Sequence, residues 1–145
     1  MILNEDNYIE IIDSYDIKHW QNLLDLIPEI ESTKNFGEMA GGEKDDKGVI
    51  QMPYYVEAAV VMKFPKLVEQ SGALISFDYT QWDDGWNITG NNEFDFDSID
   101  IPTKCKLISA IIRIDRFSEG SLVDAFESGL ILKILQSINR QLQKQ

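Results

Sequence analysis

The chain has few of the side chains that metal centres and nucleophilic active sites use. It contains one cysteine, Cys105, and one histidine, His19, among 145 residues. A single cysteine excludes an intramolecular disulfide and a cysteine-based zinc cluster within one chain. A single histidine leaves no spare residue for a serine or cysteine triad. We therefore expect no cofactor and no metal, and we favour a protein that is not an enzyme.

Long apolar runs and a basic amino-terminal segment are also missing. No stretch approaches the roughly 18–20 apolar residues that span a bilayer. The first six residues turn acidic without the basic start of a signal peptide. These absences predict a cytoplasmic protein that does not bind membranes. The length of 145 residues and the 43% hydrophobic content predict a single domain, 1–145, with its own core.

Positive charge is scarce, and its distribution is uneven. The formal net charge is −12, and the segment from Leu67 to Thr103 holds eight acids without any Lys or Arg. Phosphate backbones and anionic lipids attract local cations, so this charge argues against direct nucleic-acid binding. The simplest interpretation is a solvated acidic face that keeps a small protein soluble.

The same segment interleaves its acids with aromatic residues. Such a surface suits a partner protein with a basic surface, with electrostatically steered and salt-sensitive binding. A sharper form of this hypothesis is an inhibitor, encoded by a phage or mobile element, that mimics nucleic acid. A calcium loop is excluded because residues 95–100 lack the central glycine and the twelfth-position glutamate. The candidate interaction residues are Asp78, Trp82, Asp83, Asp84, Trp86, Glu93, Asp95 and Asp97.

Hydrophobic periodicity predicts a predominantly α (α+β) fold with about five or six helices and one small antiparallel hairpin. Apolar spacing predicts helices over 16–27, from Pro102 to about 117, and near 131–142, with Cys105 buried. Pro53 is expected to begin another helix, and Pro65 to end it and open a short one. The hairpin is expected near residues 73–90, from the alternation of residues 73–79 and a turn at 83–85. Residues 32–51 are expected to form a surface loop.

A segment near the carboxyl terminus resembles an uncharacterised bacterial domain family with an Arg-x-Asp-Arg-Phe-x-Glu-Gly signature. The resemblance rests on Ala110–Leu122 and on the Phe-Glu-x-Gly that follows. It is looser at Met52-Pro53-Tyr54 and at Phe77-Asp78-Tyr79. This chain has Ser118 and Ser121 where that family tends to have Cys and His, which weakens an enzymatic interpretation. The residues that the resemblance indicates are Arg113, Asp115, Arg116, Phe117, Glu119, Gly120 and Glu127.

The physical chemistry of this segment allows several interpretations, among them that Arg113 and Arg116 pair across the fold with the acidic stretch. Lys106, Ser109, Arg113 and Arg116 are spaced to share one helical stripe, and Glu119 follows Arg116 by three residues. We favour an Arg/Asp/Glu network that fixes the corner between two helices. The alternative is a site for an anionic small ligand, or a divalent-metal-dependent enzyme that uses the Arg113–Glu127 region.

Overall fold

A computed structural model describes residues 2–144 and shows short helices around one cluster of buried hydrophobic side chains. The strands are β1 (Leu3–Asn4), β2 (Gly37–Ala40), β3 (Tyr54–Glu57) and β4 (Ile75–Ser76). The helices are α1 (Tyr8–Asp13), α2 (Ile17–Leu24), α3 (Leu26–Ser32), α4 (Ala59–Gln70), α5 (Asp83–Thr89), α6 (Ile101–Asp115), α7 (Ser121–Glu127) and α8 (Leu130–Gln143). Short 3-10 turns at Tyr79–Gln81 and Phe96–Ser98 complete the regular structure.

The predicted fold class, mostly helical with one small antiparallel hairpin, is confirmed, but the hairpin lies elsewhere. It pairs β2 with β3, from Gly37 opposite Glu57 to Ala40 opposite Tyr54. The predicted strand at 73–79 contributes only β4, which pairs in parallel with β1. The predicted return strand is α5, whose first turn carries two acids that suit the positive end of the helix dipole.

The two prolines also behave differently from the prediction. Pro53 precedes strand β3 instead of starting a helix, and the helix begins at Ala59. Pro65 lies inside α4, so the hydrogen bond that residue 65 would donate to Val61 is missing. The helix continues because Val60, Val61, Phe64 and Val68 form one buried face on both sides of the proline.

Helix α6 is central, as its broad apolar face predicts. It packs against α1, α7, α8 and β4, and Cys105, Leu107 and Ile108 are almost fully buried. Burial raises the pKa of the Cys105 thiol far above its usual value, which agrees with the prediction of a core residue. None of the helices found in residues 2–144 combines the length and the apolar character that a membrane crossing requires.

Candidate functional site

In the acidic stretch from Leu67 to Thr103, all eight acidic residues are exposed to solvent, whereas apolar residues such as Ile75 and Phe96 are buried. Within residues 2–144, Asp97 is the one member of this stretch in an ion pair, with the Arg140 Nη2 atom 3.1 Å from its Oδ1. Hydrogen bonds from Arg140 and from the Ser137 hydroxyl lower the pKa of Asp97 to about 2. The stretch is therefore an outward negative surface that is neutralised at one end by α8.

Three more of these carboxylates are used to begin turns or helices. Asp78 accepts the Thr80 N–H at 3.1 Å, Asp95 accepts the Asp97 N–H at 3.0 Å, and Asp100 accepts the Thr103 N–H at 2.9 Å. A carboxylate in this position satisfies a backbone donor that the helix leaves free. These acids have local structural roles that the composition does not reveal.

Asp83, Asp84 and Glu93 differ from the acids around them, and we call these three residues the acidic face. Within residues 2–144 their carboxylates form no hydrogen bond and no ion pair. Asp83 and Asp84 occupy the first turn of α5, and Trp86 on the same helix is 47% exposed. The acidic face thus combines free negative charge with an accessible aromatic ring.

Trp82 holds this part of the chain against the core. Its ring meets Phe77 edge-on at 5.5 Å, and the Lys106 ammonium lies 4.7 Å from its centroid. Lys106 is also 4.8 Å from the Phe77 centroid, so the cation stabilises a small aromatic cluster. A Cβ atom at Gly85 would stand 2.3 Å from the Trp82 ring, so this tight approach requires glycine.

An apolar groove of about 300 Å³ lies between α5, α6 and α7. Trp82 and Trp86, predicted as interaction residues, form part of its wall. Its only charged lining residue is Asp124, and hydroxyls of Thr89, Ser121 and Ser128 also line it. The apolar surface contributed by α6 consists of Leu107, Ala110, Ile111 and Ile114. Trp86 therefore connects the apolar groove with the acidic face.

The corner between α6 and α7 contains the segment that resembles a family signature, and backbone contacts explain its shape. Asp115 Oδ1 accepts the Leu122 N–H at 3.0 Å, at the start of α7. Gly120 immediately precedes α7 with a φ of +92°, and its Cα faces the Tyr55 ring of β3. Ser121 is the first helical residue. Asp115 and Gly120 thus fix how the chain enters α7.

The charged side chains of this corner do not form the expected network. Within residues 2–144, Arg113, Arg116, Glu119 and Glu127 form no ion pair. Burial, followed by the carboxylates of Asp115 and Glu119, raises the pKa of the half-buried Glu57. An excess of negative charge therefore remains around Glu57, where a network would have neutralised it.

The stripe predicted along α6 is also divided among different environments. Lys106 lies in the aromatic cluster, whereas the buried Ser109 hydroxyl donates to the Cys105 carbonyl and accepts the Ile75 N–H. Arg113 is half-buried and Arg116 is exposed, next to a Phe117 side chain that is 83% exposed. The part of the chain that the structure describes contains no group of three His, Cys, Asp or Glu side chains that could hold a metal.

Two features of the site escaped sequence reasoning. The groove is built from α6 residues that the helical pattern assigns to the core, and its existence depends on how α5 and α7 are placed. Lys104 is fully buried, and its Nζ atom has no hydrogen-bond partner in the part of the chain that the structure describes. Burial lowers the pKa of Lys104 to about 8, although Asp97 and Asp100 partly oppose this effect. The sequence signal for this burial is the position of Lys104 three residues before Leu107, on the broad apolar face of α6.

The comparisons with known proteins place the chain in a family without assigning it an activity. The model of a family of unknown function (DUF6508) matches residues 16–144, so the chain belongs to this family. This agrees with the resemblance to an uncharacterised domain. No curated protein and no solved structure matches the chain. Any function must therefore be inferred from the surface itself.

Proposed function

We propose that this chain, a member of a family of unknown function, is a protein-binding module whose partner presents a basic surface to Asp83, Asp84 and Glu93. The observation that carries the proposal is the set of three exposed carboxylates that have no ion-pair partner among residues 2–144. They lie on or near α5, where Trp86 is accessible. Aromatic residues are enriched in protein interfaces, which supports a binding role for this surface.

Electrostatics favours a cationic partner at this position. Cations of the partner would meet carboxylates that form no ion pair within residues 2–144, and the nearby Lys106 ammonium lies against the rings of Trp82 and Phe77. A field of one sign also accelerates association in a salt-dependent way. Asp97 contributes less to such binding, since Arg140 already neutralises it.

The arrangement of the acids favours a compact patch over a long row that imitates phosphates. Asp78, Asp95, Asp97 and Asp100 are each hydrogen-bonded within the chain. Mimicry of nucleic acid requires many regularly placed carboxylates that remain free to contact a cationic groove. The proposed partner is therefore a protein with a local basic patch, and nucleic-acid mimicry is the finer hypothesis that this arrangement supports less.

A pair of charge-matched variants tests the proposal, with a short oligolysine peptide as the probe. The first variant combines Asp83→Asn, Asp84→Asn and Glu93→Gln. The control combines Glu31→Gln, Asp46→Asn and Glu69→Gln, exposed acids outside the acidic face. Both variants remove three negative charges. We expect the first to weaken peptide binding about tenfold, from roughly 0.2–1 kcal/mol for each exposed pair.

The control variant should bind the peptide almost as well as the parent chain. Higher salt should weaken peptide binding to the control variant and to the parent chain. Circular dichroism checks that each variant keeps its helices. An equal loss in both variants would mean that the peptide senses only the overall charge. In that case the acidic face is not a binding site.

A further inference from the structure

The acidic face accounts for a cationic partner, but it leaves the neighbouring apolar groove without a role. We infer that the groove between α5, α6 and α7 receives the apolar side chains of the same partner, which is a basic amphipathic helix. The inference rests on the proposed function and adds the kind of segment that binds.

The size and lining of the groove suit a few side chains. Its volume of about 300 Å³ lies at the lower end of the range of about 300–1,000 Å³ for small-molecule sites. Leu107, Ile111 and Ile114 supply an aliphatic wall, and Ala110 keeps the space open because its side chain is small. A short apolar stripe would fill such a groove and remove the partly exposed Ala110 and Ile114 side chains from water.

Charge complementarity selects a basic occupant. The lining contains Asp124 but no Lys or Arg. Trp86 lines the groove on the helix that carries Asp83 and Asp84, so an anchored segment would pass beside the acidic face. An occupant with apolar anchors and flanking cations therefore matches both surfaces, whereas an acidic segment would meet repulsion from several carboxylates.

The walls favour a helical occupant over an extended one. Extended peptides gain affinity by adding main-chain hydrogen bonds to an exposed sheet edge. This groove is lined mainly by residues of three helices, and not by the edge of a sheet. An amphipathic helix instead inserts side chains at positions i, i+3 or i+4, and i+7, with its charged residues at the groove edges.

Two synthetic peptides of identical leucine and lysine composition provide the probes. One places its leucines on a single helical stripe, and the other has the same residues scrambled. We expect the striped peptide to bind at least tenfold more tightly to the parent chain, as measured by fluorescence anisotropy. Ala110→Leu narrows the groove and should abolish this preference. The matched control Ala59→Leu, at an exposed alanine of α4, should preserve it.

The failures of the two proposals are distinguishable. If both peptides bind equally, Ala110→Leu has no effect and the acidic-face variant alone loses binding, the groove inference is wrong and the proposed function stands. If neither these peptides nor oligolysine binds, both are wrong. Two further results would overturn the groove inference. If amide signals of the groove shift when the chain alone is concentrated, a second copy of the chain occupies the groove. If an uncharged alkyl alcohol saturates the groove and neither peptide binds, the groove is a small-molecule site.

Discussion

The acidic stretch and the corner at residues 113–127 both attract attention by their charges, yet the structure uses those charges in opposite ways. In the acidic stretch, Phe77 and Trp82 pack around Lys106, and three carboxylates on or near α5 form no ion pair within residues 2–144. In the corner, Asp115 and Gly120 hold the backbone, while the arginines extend without ion pairs. A distinctive segment can thus serve chain geometry, and the binding surface that we propose lies where free charge adjoins an apolar groove.

The largest effect is expected at Gly85, where the acidic stretch is anchored. A Cβ atom there would overlap the Trp82 ring at 2.3 Å. Alanine normally stabilises a helix interior relative to glycine by about 1 kcal/mol. Here the overlap should prevail, and Gly85→Ala should destabilise the protein by roughly 1–3 kcal/mol. Urea unfolding measures the loss, and near-ultraviolet dichroism reports the displaced indole; a stabilised variant would show that Trp82 is not held as the structure indicates.

A substitution at Lys104 of α6 tests the packing of this helix near Asp97, the acid that Arg140 neutralises. The folded-state pKa of Lys104, about 8, lies below the usual 10.5, so the folded protein binds this proton less tightly than the unfolded chain. The cost in folding stability of burying the charged Lys104 is fully present below pH 8 and decreases as the pH rises toward 10.5. Lys104→Met should therefore stabilise the protein by about 1 kcal/mol at pH 7, because it removes a buried amine without a partner.

The gain from Lys104→Met should shrink between pH 8 and pH 10.5, and urea unfolding at several pH values measures it. Lys133→Met, at an exposed lysine of α8, provides the control and should show no such trend. A loss of stability at pH 7 would indicate that Lys104 makes a favourable interaction with Asp97 and Asp100.

The smallest effects separate the two kinds of residue in the corner. Asp115→Ala removes the acceptor of the Leu122 N–H and should cost about 1 kcal/mol, as the loss of a helix cap does. Arg116→Gln should change stability by less than about 0.5 kcal/mol, because this exposed side chain has no ion pair. Thermal unfolding of the two variants gives both values. A larger loss of stability for Arg116→Gln would indicate that a charged network does stabilise the corner.

The sequence predicts the parts of this molecule that depend on local pattern. The apolar spacing of α2, α6 and α8 predicts their amphipathic faces, and the burial of Cys105 follows from its place on α6. The predicted position of the hairpin is wrong because β4 pairs with Leu3–Asn4, more than seventy residues earlier in the chain. Such long-range pairing, like the continuation of α4 through Pro65, is decided by tertiary packing.

The candidate site divides in the same way. Its charge and aromatic content are visible in the composition of Leu67–Thr103, and the interaction residues Trp82 and Trp86 do line the groove. Which carboxylates are free depends on turn geometry and on Arg140, which comes from a different element. The groove exists only because α5 and α7 flank α6 at a distance that leaves space between small residues such as Ala110.

The indole N–H signals of the three tryptophans test the central claim most directly, when the striped leucine and lysine peptide is added to the chain. Trp86 is 47% exposed between the acidic face and the groove, whereas Trp20 is buried at 1% exposure away from both. We predict that the Trp86 signal shifts saturably and the Trp20 signal stays in place, and that added salt reverses the shift. A Trp86 signal that does not move while the peptide binds would contradict the account.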